Sequence, residues 1–310
     1  MSSHSNRRQW LTSTAALGTG LILASQSRAK ESASSHFRLC LNTSTLRGHR
    51  LTLEQEVEIA AKAGYQGIEP LIRESSQVGG KAKIKELAKK IRDLGLTIES
   101  AIGFANWIVD DDTNRRKGLE QAKKDMDLVR QLGGSRIAAP PTGATRQENL
   151  DLRKAAERYH ALLKVGDGIG VVPQIEVWGF SKSLSKLGEA VFVAVESGHP
   201  KACILPDIYH LYKGGNSFHG LKLLSGQSMH CFHVNDYPAK PGRETISDRD
   251  RVHVGDGVAP VKEIFQTLAT NGFKGALSLE LFNPTYWKQD PLKVATEGLE
   301  KIKKAVQSLD

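Results

Sequence analysis

The sequence has few of the residues that stabilise small secreted domains or membrane spans. It contains three cysteines in 310 residues, Cys40, Cys203 and Cys231, which are widely spaced and set in apolar runs. Cysteines in such settings are usually buried thiols, so this pattern argues against a disulfide framework. No CxxC pair occurs, and no apolar run after the N-terminal region is long enough for a stable membrane span.

What remains is the composition of a soluble globular protein. Hydrophobic residues make up 39% of the chain and charged residues 25%, and the length suits one large domain or two modest ones. The formal net charge is +9. A solvated lysine-rich surface explains such an excess better than nucleic-acid binding does, so we expect no nucleic-acid partner.

Residues 1–29 predict a cleavable export leader. The stretch "SNRRQWL" contains the pair Arg7 and Arg8, and the short apolar segment after it is followed by a small-residue cleavage pattern, Ser27-Arg28-Ala29. This arrangement resembles a twin-arginine-type signal peptide and predicts an exported, periplasmic protein. The alternative is a tail in which the arginine pair occurs by chance. Removal of the leader, with Arg7, Arg8 and Arg28, leaves a net charge of +6.

From residue 37 the chain alternates between short β runs and helical periodicity. Eight such strand–helix units follow one another, from "FRLCLNT" to "GALSLELF" and the helix near 291–308. Eight units predict a single α/β domain at 36–310, a closed (β/α)₈ TIM barrel. The rival doubly wound sheet would carry a glycine-rich phosphate turn after its first strand, where this chain has "NTSTLRGH". Residues 237–257 form a long polar insert after the seventh strand.

Acidic residues and a histidine end the last four predicted strands. They are Glu176 in "QIEVWG", Asp207 in "LPDIYH", His233 in "FHVND" and Glu280 in "LSLELF". In TIM barrels the reactive groups project from the C-terminal strand ends. Each of these residues alone would be read as a strand cap or as the partner of a lysine. Because all four occupy equivalent positions, we expect them to converge.

The negative charge of converging carboxylates must be neutralised, since burying an unpaired carboxylate costs several kcal/mol. A divalent cation supplies it. Oxygen ligands with one imidazole suit Mn²⁺ or Mg²⁺, with Co²⁺ or Zn²⁺ as alternatives, and leave coordination positions open for substrate oxygens. The strand ends therefore predict one divalent cation bound by Glu176, Asp207, His233 and Glu280.

The segments "IEVWG", "DIYH", "HVND" and "LELF" resemble the xylose isomerase-like TIM barrel family, which includes sugar isomerases, ketose 3-epimerases, inosose dehydratases and endonuclease IV. The resemblance covers nearly all of the chain after the leader, including "GLEQAKKDMDLVRQLGGSRIAAPP". It implies the same four metal ligands. It also implies that His210, three residues after the aspartate, and Arg251, before a glycine turn, contact substrate oxygens. Val254 replaces the proline of that turn.

The resemblance implies a metal-dependent sugar isomerase or epimerase that acts on a keto-sugar or related polyol. Glu176 and Glu280 would then move protons through an enediolate intermediate. Two alternatives stay open: an inosose-type dehydratase or lyase using the same site, and a non-catalytic exported barrel that binds sugar. The nuclease branch is disfavoured, because the second and third strand ends carry no histidine and Arg249 and Arg251 precede the turn. A small-molecule sugar is the expected partner, and a homo-oligomer is left open.

Five further residues lie at or near predicted strand ends. Glu69 ends the second strand in "GIEPL" and is a candidate hydrogen-bond partner of the substrate. Phe104, Trp107 and Trp178 are candidates for stacking on a sugar face, although aromatic residues there are as often packed lids. Asp236 either orients a ligand histidine or forms a turn.

Overall fold

The computed structural model describes residues 37–72 and 79–309, which belong to one compact unit. The leader predicted at 1–29 lies outside the described residues. Within the described ranges, no helix combines the length and the apolar character needed to cross a bilayer.

The predicted (β/α)₈ barrel is confirmed. Within the described residues the parallel strands are β1 (Arg38–Asn42), β2 (Gly67–Glu69), β3 (Thr97–Ile98), β4 (Arg136–Ala139), β5 (Val172–Glu176), β6 (Ile204–Leu205), β7 (Cys231–Val234) and β8 (Ala276–Leu279). They form a five-stranded sheet, β3-β2-β1-β8-β7, and a three-stranded sheet, β4-β5-β6. Isolated parallel bridges join the sheets at Ile102–Ala138, Ile204–Met229 and Asp207–His233. These bridges close the barrel.

Helices pack around the strands. They are α1 (Leu53–Ala63), α2 (Lys81–Asp93), α3 (Asp112–Leu132), α4 (Leu152–Ile169), α5 (Leu187–Glu196), α6 (Ile208–Lys213), α7 (Val261–Thr270) and α8 (Pro291–Gln307). Local sequence signals set their ends. Thr52 and Gln55 form a capping box at the start of α1, and Gly64 ends that helix with φ of 92°. Asp290 caps α8 just before Pro291.

A second, smaller apolar cluster lies inside the barrel, apart from the main core between strands and helices. Its members come from strands or their extensions and are Cys40, Leu71, Ile102, Ala138, Leu205, Cys231 and Ala276. All three cysteines are free and buried, as the sequence predicted. This apolar cluster excludes water from the barrel interior below the C-terminal strand ends.

The sixth strand–helix unit contains only a short α-helix. The α-helix there is the short α6, and a 3₁₀ helix follows at Phe218–Leu223. Asp207 caps α6 by accepting a hydrogen bond from the His210 N–H, so the helix begins directly at the end of the strand. Gly215, with φ of 68°, reverses the chain after it.

Candidate metal centre and its surroundings

The structure brings the four predicted ligands to one end of the barrel. Glu176 is the last residue of β5, His233 lies in β7, and Glu280 directly follows β8. Asp207 follows β6 and pairs with His233 through the bridge between the sheets. All four are buried, with exposed fractions between 0% and 4%. Parallel strands place these side chains on one rim, as the barrel geometry requires.

The imidazole of His233 lies at the centre of the group. Its Nδ1 is 3.4 Å from Glu280 Oε2, 3.7 Å from Glu176 Oε1 and 3.8 Å from Asp207 Oδ2. None of these contacts is a hydrogen bond, and Nδ1 is buried without a partner among the described residues. The outer oxygen of Glu176, Oε2, is likewise buried and unpaired within the described part of the chain.

These unpaired atoms fit a divalent cation. Two ligand atoms, each about 2.1 Å from one centre and separated by an angle of about 109°, lie about 3.4 Å apart. The distances around Nδ1 have that size. Ligand atoms of Glu176, His233 and Glu280 all lie within 4.8 Å of one another. Asp207 lies outside that group of three, and its Oδ2, 3.8 Å from Nδ1, also accepts hydrogen bonds from Arg251 and Asn235.

Arg251 lies beside the carboxylates with no exposed surface. Its Nη1 donates to both Asp207 Oδ2 and Glu280 Oε2 at 2.9 Å. Its Nη2 donates to Asp248 and lies 3.1 Å from Nε2 of His210. The guanidinium also packs over the rings of Tyr209 and Phe282, which supports a cation in this position. Arg251 and His210, the two residues expected to bind substrate oxygens, therefore adjoin the ligand cluster and each other.

The protonation of this cluster is uneven. Burial raises the pKa of Glu176 to about 8, with Glu280 and Asp207 adding to the effect and His233 opposing it. Burial also acts on Glu280, but His233 and Arg251 outweigh it and lower the pKa of that carboxyl to about 2. The carboxylates of Glu280 and Glu69 raise the pKa of His233 well above its ordinary value, against the effect of burial. Two glutamates on one site thus differ widely in proton affinity.

The neutral form of His210 is favoured. Burial lowers the pKa of its imidazole, and Arg251 acts in the same direction, while Asp207 opposes them. Its Nε2 faces the guanidinium of Arg251, which can only donate, so that nitrogen carries the lone pair, and the backbone N–H of Gly179 lies 3.3 Å from Nδ1.

Aromatic rings line one side of the cluster. The ring of Trp178 lies 6.2 Å from that of Phe104 and 5.1 Å from that of Phe180, and the ring of Phe180 lies 5.7 Å from that of His210. Phe104 and Phe180 are 44% and 46% exposed. Exposed rings beside buried polar groups are typical of a binding surface.

Trp107 has a different environment from that of Trp178. It is 1% exposed, its indole N–H donates to the carbonyl of Pro140, and its ring packs on Tyr159 in the main core. The structure therefore places Trp107 in the packing between strands and helices rather than beside the ligand cluster. The sequence could not separate the two tryptophans, because both follow strand ends.

Glu69 lies at the end of β2 with no exposed surface. Its Oε2 accepts hydrogen bonds from His233 Nε2 at 3.0 Å, Asn42 Nδ2 at 3.0 Å and Ser278 Oγ at 2.6 Å. The residue expected to bind substrate is thus engaged with the ligand histidine.

Sequence reasoning missed three polar residues that hold the cluster. Asn42, the last residue of β1, donates to both Glu69 and Glu280. Asn235 donates to Asp207, and Ser278 to Glu69. Asn42 and Asn235 could have been identified from the sequence, since each is a polar residue at the end of a predicted strand. Ser278 lies inside an apolar strand, where a serine alone predicts nothing.

Asp236 anchors the insert rather than the ligand histidine. Its carboxylate accepts hydrogen bonds from the backbone N–H groups of Tyr237, Gly255 and Ala259. Its backbone pairs with Val252 in an antiparallel bridge. The turn interpretation of this residue is therefore the one that agrees with the structure, and the turn holds the segment that carries Arg251.

Comparison with known proteins agrees with this architecture. A family model described as "Xylose isomerase-like TIM barrel" matches residues 57–305. Inosose isomerase of Bacillus velezensis is 26% identical over 278 residues, which cover 86% of this chain and 96% of that protein.

Solved structures give the same result. The IOLI protein with a bound zinc atom superposes with a TM-score of 0.79 at 18% identity and covers 88% of this chain and 99% of that chain. D-psicose 3-epimerase in the presence of D-fructose superposes with a TM-score of 0.74 at 18% identity, with coverage of 88% and 99%. At these identities the structural likeness establishes the fold.

Proposed function

Because the chain belongs to the xylose isomerase-like TIM barrel family, we propose that it is a divalent-metal-dependent isomerase or epimerase of a keto-sugar or related polyol. The observation that carries this proposal is the unpaired Nδ1 of His233, which faces carboxylate oxygens from Glu176, Asp207 and Glu280. The zinc atom in the structurally similar IOLI protein and the activity of the inosose isomerase relative support it.

Glu176, Asp207, His233 and Glu280 would hold the cation. When bound, a divalent cation polarises a substrate carbonyl and stabilises the enediolate formed by loss of the neighbouring proton. The donor set accepts Mn²⁺, Mg²⁺, Co²⁺ or Zn²⁺, because it combines carboxylates with a single imidazole.

Glu176 and Glu280 are proposed as the acid and base pair. They end strands on different sides of His233, so a sugar between them would present opposite faces to the two carboxyl groups. Glu280, with its low pKa, is ionised at neutral pH, while burial holds a proton on Glu176 when no cation is bound. Removal of a proton by one and its return by the other converts the substrate.

His210 and Arg251 are proposed to orient the substrate. Their nitrogen atoms lie next to each other beside the cluster, and the guanidinium of Arg251 provides donors for hydroxyl or carbonyl oxygens. Trp178 and Phe104 are proposed to pack on the apolar face of the sugar, as aromatic rings do in carbohydrate sites.

The test is solvent exchange. Unphosphorylated ketoses, inososes and 3-keto-glycosides are incubated with the Mn²⁺-loaded protein in D₂O and followed by proton NMR. An isomerase or epimerase incorporates deuterium at a substrate carbon, and the products distinguish epimerisation, isomerisation and loss of water. Calorimetry that shows binding without exchange would instead favour the non-catalytic barrel.

Variants assign the roles. Glu176→Gln and Glu280→Gln should each lower exchange at least about a hundredfold while the protein stays folded. Glu263→Gln, which changes an exposed glutamate on α7, is the matched control and should retain wild-type exchange. Full activity in either site variant would contradict the proposal.

We also propose that residues 1–29 direct export. Full-length protein should be found in the periplasmic fraction, and replacement of Arg7 and Arg8 by lysine should retain it in the cytoplasm. Equal export of the two forms would leave the arginine pair without a role.

A further inference from the structure

Glu69 makes hydrogen bonds that fix the chemistry of His233. Its Oε2 accepts from His233 Nε2, from Asn42 Nδ2 and from Ser278 Oγ, all within 3.0 Å. The amide of Asn42 can only donate through its nitrogen. Oε2 is the acceptor in its contacts with Asn42 and Ser278, and as the acceptor in the third contact, at 3.0 Å, it pairs with a hydrogen on Nε2 of His233.

A hydrogen fixed on Nε2 determines what Nδ1 can do. The imidazole that binds a cation is neutral and carries one N–H and one lone pair, so the lone pair must then lie on Nδ1. That nitrogen points at the oxygens of Glu176, Asp207 and Glu280. The hydrogen bond to Glu69 also fixes the rotation of the ring about its bond to the chain.

We propose that Glu69 is a positioning residue of the cation site, which holds His233 in the tautomer and orientation that present Nδ1 to the ion. Asn42 extends the same control to Glu280, because its Nδ2 also donates to Glu280 Oε1 at 3.2 Å. The inference rests on the proposed cation site. Carboxylates behind metal-binding histidines raise ligand basicity and fix the ring, and their loss weakens metal binding about 10- to 100-fold.

Two other roles for Glu69 agree less well with its contacts. It has no exposed surface, and its Oε2 accepts from Asn42, His233 and Ser278. The Sγ of Cys231 lies 3.8 Å from both carboxylate oxygens, so a substrate oxygen would have to displace one of these donors. Ligand atoms of Glu69, Cys231 and His233 also lie close enough to bind a second ion. However, that ion would displace the same hydrogens, and Cys231 belongs to the apolar cluster inside the barrel.

The experiment measures Zn²⁺ affinity by competition with a chromogenic chelator, using the full chain. Wild-type protein is compared with Glu69→Gln and with Glu69→Asp, whose carboxylate is one methylene too short to reach Nε2. Glu99→Gln is the matched control, because Glu99 is a buried glutamate on the strand next to β2 whose carboxylate binds Arg38 and Thr97 instead. Both Glu69 variants should bind Zn²⁺ about 10- to 100-fold more weakly, and the control should stay within about twofold of wild type.

A spectroscopic readout separates positioning from a general loss of structure. In the Zn²⁺-loaded wild type labelled with ¹⁵N-histidine, the imidazole of His233 should show a protonated Nε2 that exchanges slowly with water and an Nδ1 shifted by the metal. In Glu69→Gln the Nε2 proton should exchange faster, while the other histidine signals keep their wild-type positions.

The outcomes are distinct. If wild-type protein binds no Zn²⁺ or Mn²⁺, the proposed cation site fails and the positioning role fails with it. If wild-type protein binds Zn²⁺ and both Glu69 variants bind it within about twofold with an unchanged Nε2 signal, only the role of Glu69 is overturned.

Discussion

The carboxylate of Asp236 accepts a hydrogen bond from the backbone N–H of Gly255 at 3.0 Å. This bond crosses from the end of β7 to the far end of the insert and holds the segment between them against the barrel. Arg251 lies in that segment. The position of Arg251, which we propose to bind substrate, therefore depends on the side chain of Asp236.

Asp236→Ala tests this dependence. The substitution leaves three backbone N–H groups without their acceptor, and each such loss costs about 1–3 kcal/mol. We expect a lower free energy of unfolding, faster tryptic cleavage at Arg249 or Arg251, and a higher KM. Asp256 lies in the same insert and binds Lys301 of α8. Asp256→Ala is therefore the control and should leave the rate of cleavage and the KM near wild type. Equal cleavage rates in the two variants would argue against the anchoring role.

Arg251→Ala tests the balance of charge around the cluster. It leaves the buried carboxylates of Asp207 and Glu280 without the guanidinium group that they share. Breaking a buried ion pair in this way costs about 3–5 kcal/mol. The loss should appear in urea denaturation of the protein treated with EDTA, and it should shrink when Mn²⁺ is saturating. Arg243→Ala, at an exposed position in the insert, should show neither effect. A loss that Mn²⁺ does not reduce would mean that the ion and Arg251 do not share these carboxylates.

The two tryptophans should respond in opposite ways. Trp107→Ala opens a cavity in the core and should cost about 3–5 kcal/mol of unfolding free energy, with a KM close to wild type at temperatures where the variant is folded. Trp178→Ala should raise KM about three- to tenfold and change stability less, because it removes a stacking surface. Thermal denaturation and steady-state kinetics on both variants check this. A higher KM in Trp107→Ala alone would reverse the assignment.

His253 should make stability depend on pH. Burial lowers its pKa to about 4, with Lys301 acting in the same direction and Asp256 and Glu297 opposing it. Both ring nitrogens are buried without a partner in the described part of the chain. Because the folded state disfavours the protonated ring, the contribution of neutral His253 to the free energy of unfolding is fully present above the ordinary pKa of about 6.5. As the pH falls from there toward 4, up to about 3 kcal/mol is lost.

Denaturant unfolding between pH 7.5 and pH 4 measures that slope. His253→Phe keeps the ring contact with Tyr286 but cannot be protonated, so its stability should fall less over this range. The exposed His219→Phe serves as the control and should follow the wild type. Parallel pH curves for wild type and His253→Phe would contradict the prediction.

The sequence predicted the fold because each unit carries its own signal. The short apolar runs, Thr52 with Gln55, and glycines such as Gly64 act locally, so eight strand and helix units could be read one after another. The convergence of Glu176, Asp207, His233 and Glu280 followed from strand register alone. Their roles stay predictions.

The remaining features depend on contacts between distant segments. Glu69 and His233 are 164 residues apart, and only the closed barrel brings their side chains together. The same holds for Arg251, whose contacts depend on the path of the insert and on Asp236. The different environments of Trp107 and Trp178 arise from the loops after their strands, where periodicity gives no information.

The closure of the barrel by single bridges has a consequence for its dynamics. Glu176 and Asp207 belong to the three-stranded sheet and its extension, whereas His233 and Glu280 belong to the five-stranded one. An ion held by all four would cross-link the two sheets where β6 meets β7 and slow hydrogen exchange of the amides there. None of the four ligands comes from β3 or β4, so hydrogen exchange at that junction should not respond to the ion.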